Sequence, residues 1–571
     1  MKASDYIARF LEEQGVSCVF EMSGGMIMHM LDSISRVTQI KIVSMHHEQS
    51  AAFAADAFGR MTGVPGVAMA TSGPGATNLL TGIGSCYFDS SPAVFITGQV
   101  NRHELRGSRA IRQLGFQETD IVSMAKPITK ASWQVASPEE LPADLRRAVA
   151  IARSGRPGPV LLDIPMDIQR ADIDGDIGAV GNLESPEPVD ERLVDELFRA
   201  VRESKRPMIL AGGGVRAAGA IDGFRAFVRK TQIPVVTSLL GVDVLAFDDP
   251  LRVGMIGSYG NRWANLAIGR SDLVIVVGSR LDIRQTGSDT DTFKTGREIF
   301  HVDCEPGEIN NRVAGCHAIH AQLREFFNVA NQYAAKPARL TQWLSEIGAL
   351  RTQWPDVAEI APSAGINPNQ FMHTLSEQSK SAAAFVADVG QHQMWAAQSL
   401  ELSDSQRFIT SGGMGSMGFG LPAAIGAALT ASGRPVVVIA GDGGFQSNIQ
   451  ELQTVVRNRL PLKIVIINNG CHGMVRQFQE SYFEKRYQST LWGYSCPDFA
   501  KVAQAYGVPA QTIDAPSDVD AALEYLWASP LEPALLQVMV DTYANAYPKI
   551  AFGRPNTEME PFATPVGMEG T

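Results

Sequence analysis

Two short polar segments, Gly441-Asp442-Gly443 and Asn468-Asn469, carry the residue types best suited to chemistry in this sequence. Each follows an apolar run, VVVIA before the first and KIVII before the second. Both are therefore predicted to lie at the carboxyl ends of parallel strands, where open α/β sheets bind ligands. An Asp and an Asn at successive strand ends form an oxygen-rich site suited to Mg²⁺, and the glycines let backbone N–H groups approach a diphosphate. Two tight turns, in which the Asp and Asn cap the following helices, are the alternative.

The elements that position these segments recur along the chain as three stretches of short apolar strands, glycine-bearing turns and amphipathic helices. This alternation predicts an α/β fold built from three doubly wound parallel-sheet domains. Composition predicts the joins: residues 171–190 are acidic and bear Gly and Pro, and residues 336–368 hold a Trp-bearing segment followed by APSAGINP. The predicted domains are therefore 1–170, 191–335 and 369–571.

Composition excludes several classes of protein. Of the 571 residues, 49 are Lys or Arg and 60 are Asp or Glu, which gives a net charge of −11 and disfavours binding to nucleic acid by bulk charge. The 45% hydrophobic and 19% charged composition is not that of a disordered chain. The six cysteines are far apart, without a CxxC pair, as in a reduced cytoplasmic protein. No apolar run suits a signal peptide or a membrane span, so a cytoplasmic location is predicted.

Seven sequence blocks, in the same order, resemble those of the acetolactate synthase (acetohydroxyacid synthase) family of thiamine-diphosphate-dependent enzymes, catalytic large-subunit type. The blocks are HHEQSAAFAADAFGR, TSGPGATNLL, GFQETDIV, GRPGPVLLDIPMDIQ, DVGQHQMWAAQ, SGGMGSMGFGLPAAIGA and GMVRQFQE. The GDG segment followed by NN is the thiamine-diphosphate motif of that superfamily. The resemblance extends from about residue 3 to about residue 550, and it implies a pyrimidine-binding first domain, a nucleotide-type central domain and a diphosphate-binding third domain.

The resemblance also implies roles for individual residues. Glu48, in HHEQ, matches the catalytic glutamate that hydrogen-bonds the pyrimidine N1′ of the cofactor and promotes its imino form. The carbonyl of Gly415 matches the acceptor for the 4′-amino group, and Met417 matches the apolar wedge that bends the cofactor. The metal ligands implied are Asp442, Asn469 and the backbone carbonyl of Cys471. Other matches to cofactor-binding positions are Gln117, Gln391, His392, Ser416, Gly441, Gly443 and Gly444.

The central domain resembles the FAD-binding segments of the acetolactate synthases. A glycine loop can approach a diphosphate, and an acid after a strand can bind a ribose. FAD is therefore expected, with a structural role, because decarboxylation followed by C–C bond formation is redox-neutral. ADP, an empty domain or ordinary tight turns are the alternatives. The residues implied are Gly212, Gly213, Gly214, Gly278, Arg280, Arg284 and Asp303.

The acceptor pocket departs from the family pattern. The residues that match it are Gly25, Arg284, Met474 and Phe478. Arg284, which meets the acceptor carboxylate in the family, is retained, whereas Phe478 replaces a tryptophan and Met166 replaces a lysine. These losses favour a larger or less anionic acceptor, because an unpaired charged site rejects the wrong partner. Neutral drift in a plain acetolactate synthase is the alternative.

The function predicted is a carboligase that decarboxylates a 2-oxo acid, pyruvate, and transfers the two-carbon unit to a carbonyl acceptor. The alternatives are a related carboligase that uses a keto sugar, a 2-oxo acid decarboxylase, a 2-hydroxyacyl-CoA lyase and a non-catalytic regulatory relative. Retention of Glu48, Asp442 and Asn469 argues against the last of these. By analogy with the family, the active sites lie at the interface of a homodimer or homotetramer, and the sequence does not address a regulatory subunit.

Overall fold

The computed structural model describes residues 1–174, 178, 180–181, 188–333, 340–360 and 365–567. These residues form three six-stranded sheets in which every strand pair is parallel, and helices flank the sheets. The predicted α/β fold of three doubly wound parallel sheets is confirmed. Much of the predicted linker 171–190 and part of 336–368 lie outside the described residues, and the domain boundaries stay predictions.

The first unit is a sheet with strand order β2-β1-β3-β4-β6-β5 and its helices. Its strands are β1 Cys18–Met22, β2 Lys41–Ser44, β3 Gly66–Ala70, β4 Ala93–Gln99, β5 Ala131–Gln134 and β6 Pro159–Pro165. Its helices are α1 Ala3–Glu13, α2 Met28–Val37, α3 Glu48–Thr62, α4 Pro74–Asn78, α5 Leu80–Asp89, α6 Ile121–Ala125, α7 Leu141–Arg153 and α8 Met166–Arg170.

The central unit has strand order β9-β8-β7-β10-β11-β12, which is the 3-2-1-4-5-6 order of dinucleotide-binding sheets. Its strands are β7 Pro207–Ala211, β8 Val235–Thr237, β9 Arg252–Met255, β10 Leu273–Val277, β11 Glu298–Asp303 and β12 His317–His320. Its helices are α9 Glu191–Glu203, α10 Gly214–Ala217, α11 Ile221–Thr231, α12 Arg262–Arg270, α13 Ile283–Thr286, α14 Thr290–Lys294 and α15 Leu323–Tyr333, and α16 Leu340–Gln353 follows.

The third unit has strand order β14-β13-β15-β16-β18-β17, the same relative order as the first unit. Its strands are β13 Ala384–Ala387, β14 Arg407–Thr410, β15 Val436–Gly441, β16 Leu462–Asn468, β17 Ala510–Ile513 and β18 Ala534–Met539. Its helices are α17 Pro368–Gln378, α18 Gln391–Ser399, α19 Gly420–Thr430, α20 Asp442–Ser447, α21 Leu452–Asn458, α22 Gly473–Tyr482, α23 Phe499–Ala505 and α24 Val519–Trp527. A hairpin, β19 Lys549–Ile550 with β20 Met559–Glu560, follows β18.

The central strands are apolar without alternation because helices cover both faces of each sheet. Strands β10 (LVIVV) and β15 (VVVIAG) are buried at every residue. Such strands expose no side chain along their length, so polar groups gather where the strands end. In a doubly wound sheet the ligand crevice forms where the strand order reverses. That point lies between β1 and β3, between β7 and β10, and between β13 and β15 in the three units.

The first and third units share one hydrophobic core, which forms where α3 packs on α19. The contact is close because both helices carry small residues. A Cβ on Gly426 would lie 2.1 Å from the carbonyl oxygen of Ala54, so only glycine fits at that crossing. The rings of Phe53 and Phe419 meet edge to face with centroids 5.3 Å apart. The helix that begins at Glu48 is therefore fixed against the unit that carries Asp442.

Within the described residues, no helix has the length and apolarity that a membrane crossing requires.

Candidate active site

Three oxygens converge at the carboxyl edge of the third sheet. Asp442 follows β15 and Asn469 follows β16. The Asn469 Oδ1 lies 3.3 Å from the Asp442 Oδ1 and 2.8 Å from the carbonyl oxygen of Cys471. A carboxylate, an amide oxygen and a backbone carbonyl are all acceptors, so no proton of their own links them. The arrangement is suited to a cation.

The orientation of the Asn469 amide is set by a relay of amides that begins at the backbone. The Ala546 N–H donates to Gln477 Oε1, and Gln477 Nε2 donates to the Ala546 carbonyl, each at 3.0 Å. Gln391 Nε2 then donates to Gln477 Oε1 at 3.1 Å and to the carbonyl of Ala544 at 3.0 Å. Gln391 Oε1 is left to accept from Asn469 Nδ2 at 2.9 Å. The oxygen of Asn469 must consequently point at Asp442.

The donor set fits Mg²⁺, which takes oxygen ligands and is bound by one or two protein carboxylates together with phosphate oxygens. The described residues contain no cluster of three His, Cys, Asp or Glu side chains that could hold a metal. A metal here would therefore use one carboxylate, one amide and one backbone carbonyl. Burial raises the pKa of Asp442 to about 6, because the low-dielectric surroundings disfavour its negative charge. A bound cation would remove that penalty.

Two buried polar atoms beside this cluster have no hydrogen-bond partner in the described residues: His392 Nε2 and Ser416 Oγ. Burial lowers the pKa of His392 to about 3, so its ring is neutral and one ring nitrogen remains free. Buried polar groups are almost always hydrogen-bonded in native proteins. The two orphaned atoms therefore leave hydrogen-bonding capacity in this crevice between β13 and β15 that a polar ligand can use.

The glycines of the GDG segment and the next residue, Gly444, make room for neighbouring side chains. A Cβ on Gly441 would lie 2.7 Å from His392 Nδ1, and one on Gly443 would lie 2.7 Å from Nδ1 of His472. A Cβ on Gly444 would lie 2.9 Å from Oδ1 of Asp388. Gly441, Gly443 and Gly444, three of the predicted cofactor-binding glycines, thus line the same crevice.

Asp388 is a site residue that the sequence analysis missed. It follows β13, and its carboxylate accepts the backbone N–H groups of Val389, Gly418 and Gly420. Burial raises its pKa to about 6. Asp388 fastens the loop after β13 to the loop before α19. Its position after an apolar run, in the DVG segment, is the signal that could have found it.

The loop of residues 412–418 presents Gly415 and Met417 toward solvent. Gly415 has a φ of +69°, a left-handed conformation that favours glycine, and no heavy atom lies within 4 Å of the position its Cβ would take. Met417 is 41% exposed. The space around Gly415 and the exposure of Met417 suit a loop that grips a ligand.

Asp89, also missed from the sequence, holds the start of this loop from the first unit. Its Oδ2 accepts the N–H of Gly412 at 2.9 Å and a hydrogen bond from Arg60 Nη2 at 3.0 Å, and its Oδ1 accepts the N–H of Gly413 at 2.6 Å. Arg60 also pairs with Asp56 and donates to the carbonyl of Thr410. A buried ion network therefore sets the position of the loop.

Glu48 lies at the first residue of α3 and is 7% exposed. The ring of His47 caps the helix by accepting the N–H of Gln49, which fixes the helix start at Glu48. Asn78 Nδ2 donates to Glu48 Oε2 at 2.9 Å, and a Cβ on Gly75 would lie 3.2 Å from Glu48 Oε1. Among the described residues, no hydrogen bond to Oε1 of Glu48 is present, so that oxygen is available to a ligand.

Gln117 and Gly25 lie at the same edge of the first sheet as Glu48. Gln117 has a φ of +66° and packs on Gly73, and its carbonyl accepts from the hydroxyl of Ser72. Gly25 follows β1. In the described residues, no hydrogen bond links Glu48, Gln117 or Gly25 to the loop at Gly415 or to the Asp442 cluster. The chain thus presents two separate groups of predicted site residues.

A cavity lies at the strand-order reversal of the central sheet. Six of the seven residues predicted to bind a nucleotide line it: Gly213, Gly214, Gly278, Arg280, Arg284 and Asp303. Gly212 lies behind the cavity wall, where a Cβ would be 2.1 Å from the carbonyl oxygen of Gly278. The cavity also reaches Gly412 and Met394 of the third unit, so it adjoins the loop that carries Gly415.

The predicted acceptor residues Met474 and Phe478 lie one helical turn apart on α22, which begins two residues after Cys471. The hairpin β19–β20 connects this helix to the central unit. Lys549 Nζ lies 6.0 Å from the ring centroid of Phe478, and the N–H of Ile550 donates to the carbonyl of Ser258 at 2.8 Å. Ser258 lines the central cavity together with Arg284. Gly25 has no contact with this group among the hydrogen bonds of the described residues.

Comparison with known proteins identifies the family. Three models of thiamine pyrophosphate (thiamine diphosphate) enzymes match the chain: the N-terminal TPP binding domain at residues 1–124, the central domain at 194–329 and the C-terminal TPP binding domain at 388–538. These matches identify a thiamine-diphosphate-dependent enzyme.

The chain is 38% identical over 560 residues to the acetolactate synthase isozyme 2 large subunit of Escherichia coli (strain K12), covering 98% of this chain and 99% of that protein. It is 36% identical to the acetolactate synthase large subunit of Lactococcus lactis subsp. lactis, covering 97% and 95%. It is 37% identical to the chloroplastic acetolactate synthase 2 of Nicotiana tabacum, covering 97% and 84%. The chain therefore belongs to the thiamine pyrophosphate enzymes and, among them, to the family of acetolactate synthase large subunits.

Proposed function

We propose that this enzyme decarboxylates pyruvate and transfers the remaining two-carbon unit to a carbonyl acceptor, which gives 2-acetolactate when the acceptor is a second pyruvate. The observation that carries the proposal is the crevice of the third sheet. There, three acceptor oxygens of Asp442, Asn469 and Cys471 face one another beside two orphaned polar atoms, those of His392 and Ser416. A cation would satisfy the three oxygens, and a diphosphate oxygen would accept from the Ser416 hydroxyl.

The residues of the chain divide the work around the cofactor. Asp442, Asn469 and the Cys471 carbonyl would hold Mg²⁺, which neutralises the diphosphate. When bound, thiamine diphosphate supplies the carbanion that adds to the substrate ketone and accepts the electrons released with CO₂. Glu48 would share a proton through its free Oε1 with the pyrimidine ring, because Asn78 already occupies Oε2. The bulk of Met417 would keep the cofactor bent.

A second copy of the chain would complete the site. The first-unit group at Glu48 and Gln117 is not hydrogen-bonded to the third-unit group in the described residues. Apolar side chains near both groups are exposed, including Phe116 at 80% and Val475 at 52%. Exposed large apolar side chains near a functional site are typical of an interaction surface. We infer that two chains bury these residues and bring Glu48 of one chain to the loop at Gly415 of the other.

The cavity of the central unit would hold FAD. The close approach of Gly212 and Gly214 to Gly278 and the 3-2-1-4-5-6 strand order support a dinucleotide site. The reaction is redox-neutral, so the flavin would be structural. Purified protein should carry a yellow chromophore or take up added FAD, and a colourless protein that takes up none would contradict this part of the proposal.

The acceptor substrate is the part of the proposal that needs a separate test, because Phe478 and Met166 depart from the family pattern. The test is a screen in which holoenzyme and pyruvate are combined with different carbonyl compounds and both CO₂ and coupled products are measured. Acetolactate formed from pyruvate alone would support the acetolactate synthase function. CO₂ release that rises only when another carbonyl compound is added would contradict the acetolactate synthase function and support a related carboligase that uses that compound as its acceptor.

A further inference from the structure

The two carboxylate oxygens of Asp442 have different partners. Oδ1 faces Asn469 Oδ1 at 3.3 Å, in the cluster proposed above to hold Mg²⁺. Oδ2 accepts a hydrogen bond from the hydroxyl of Tyr494 at 2.9 Å. Tyr494 lies in the segment between α22 and α23, outside every sequence block that suggested the function. The hydrogen bond from Tyr494 to Asp442 is therefore a feature of the site that the sequence resemblance does not include.

The direction of the Tyr494 hydrogen bond is determined by Gln446. The Nε2 of Gln446 donates to the Tyr494 hydroxyl oxygen at 3.3 Å and to the backbone carbonyl of Asp442 at 3.2 Å. An amide nitrogen can only donate. The single hydroxyl proton of Tyr494 is thus left for Asp442 Oδ2.

The ring of Tyr494 is held in place by packing against His472, with ring centroids 4.4 Å apart. The thiol of Cys496 also lies beside the Asp442 carboxylate, but a thiol is a weak donor and does not replace the hydroxyl. The hydrogen bond from Tyr494 is therefore persistent and directional.

We propose that Tyr494 makes Asp442 a ligand through one oxygen and thereby makes the site prefer Mg²⁺ to Ca²⁺. Mg²⁺ demands near-octahedral geometry with few protein ligands, which one carboxylate oxygen satisfies. Ca²⁺ takes more oxygens in a flexible shell and commonly binds both oxygens of a carboxylate. The hydrogen bond from Tyr494 competes with Ca²⁺ for Oδ2, whereas Mg²⁺ needs only Oδ1. The inference rests on the proposed metal site.

The experiment measures metal affinity directly, without turnover. Wild type, Tyr494→Phe and the matched control Tyr506→Phe are saturated with thiamine diphosphate and titrated with Mg²⁺ or Ca²⁺ by calorimetry. Tyr506 lies just beyond α23 and packs on the core away from the metal cluster. Tyr494→Phe keeps the ring that packs on His472 and removes only the hydroxyl. Circular dichroism checks that each variant is folded.

For Tyr494→Phe we expect the Mg²⁺ Kd to rise about tenfold, the lower end of the losses typical when a group that orients a metal ligand is removed. We expect the Ca²⁺ Kd to stay within about threefold, because Ca²⁺ gains the freed Oδ2. The ratio of the two Kd values should narrow, and Tyr506→Phe should leave it unchanged. Equal losses for both metals, or no change for either, would overturn the proposal.

Two further variants separate the possible failures. Gln446→Met removes the donor that orients the Tyr494 hydroxyl. We expect it to narrow the ratio of the Ca²⁺ Kd to the Mg²⁺ Kd by less than Tyr494→Phe does, and an unchanged ratio would count against the proposal. Asp442→Asn tests the underlying site. If Asp442→Asn binds Mg²⁺ as tightly as wild type, the proposed metal site itself is wrong. If only Tyr494→Phe is without effect, the metal site stands and the role of Tyr494 is wrong.

Discussion

The substitution Asp89→Asn tests how the chain positions the loop that ends at Gly415 and Met417. The carboxylate of Asp89 is buried and accepts three hydrogen bonds, two from the backbone of residues 412–413 and one from Arg60. Asparagine has the same shape but no charge, and its amide nitrogen would face at least one of these donors. The substitution therefore removes the anion and leaves a buried donor opposite another donor.

The magnitude follows from the contacts. Loss of one partner from a buried ion pair costs about 3–5 kcal/mol, and a hydrogen bond to a charged group contributes about 1.5–3 kcal/mol. These two costs are not added, because the hydrogen bond from Arg60 is part of the ion pair. Asp56 still pairs with Arg60 after the substitution, which limits the loss. Burial raises the pKa of Asp89 despite the charge of Arg60, so desolvation already offsets part of the benefit. We expect a loss at the low end, about 3 kcal/mol.

The assay is thermal unfolding combined with cofactor binding. At the roughly 2 °C per kcal/mol typical of larger domains, Asp89→Asn should lower Tm by about 6 °C. Loosening of the loop should also weaken thiamine diphosphate binding by about tenfold, which corresponds to about 1.4 kcal/mol. Asp520→Asn, on the exposed side of α24, is the control and should change neither quantity. A Tm and a cofactor affinity that both match wild type in Asp89→Asn would refute this account of the loop.

Three further predictions concern other parts of the molecule. Glu48→Gln should reduce turnover by at least about 100-fold, the scale of general acid–base catalysis, while cofactor affinity measured by calorimetry stays near wild type; near-normal turnover would refute its role. Burial alone would lower the pKa of His373, but the neighbouring carboxylates of Asp356 and Glu401 outweigh it, and the pKa is raised. Protonated His373 therefore stabilises the fold fully below about pH 6.5, and this stabilisation is lost as pH rises through the raised pKa. His373→Asn should therefore lower Tm more at pH 6 than at pH 9, with a cost on the order of 3 kcal/mol at pH 6, and an equal loss at both would contradict the ion pair. Gly278→Ala should weaken FAD binding by at least about tenfold, measured by flavin absorbance, because Gly278 has a φ of +59° and a Cβ there would lie 2.8 Å from a backbone atom. Gly307→Ala, where a Cβ would meet open space, is the control. Equal flavin content in Gly278→Ala and wild type would contradict the packing argument.

The sequence was informative where strands are apolar and turns are polar. The runs before Asp442 and before Asn469 predicted strand ends at one sheet edge, and the structure places both residues there. The three parallel sheets followed from the same alternation. In contrast, the packing of α3 on α19 through Gly426 has no local pattern, because small residues in a helix are compatible with many partners. The shared core of the first and third units therefore emerged only from the structure.

Two supporting residues of the site, Tyr494 and Asp89, were beyond sequence reasoning for a physical reason. Tyr494 contacts a carboxylate 52 positions away, and Asp89 contacts a backbone N–H 323 positions away. Both contacts depend on loop conformations, which apolar periodicity does not encode. The amide relay that orients Asn469 likewise ends at the backbone of Ala546. Residue types at strand ends predict which groups can react, whereas the groups that orient them come from distant loops.

The most direct test of the central claim is the product balance of holoenzyme with pyruvate as the sole substrate. CO₂ and 2-acetolactate are measured together, with and without thiamine diphosphate and Mg²⁺, in wild type and in Glu48→Gln. We predict one acetolactate and one CO₂ for every two pyruvate molecules, with loss of both products when the cofactor is omitted or Glu48 is replaced. CO₂ balanced by free acetaldehyde without a coupled product, or acetolactate formation that survives Glu48→Gln, would contradict the account.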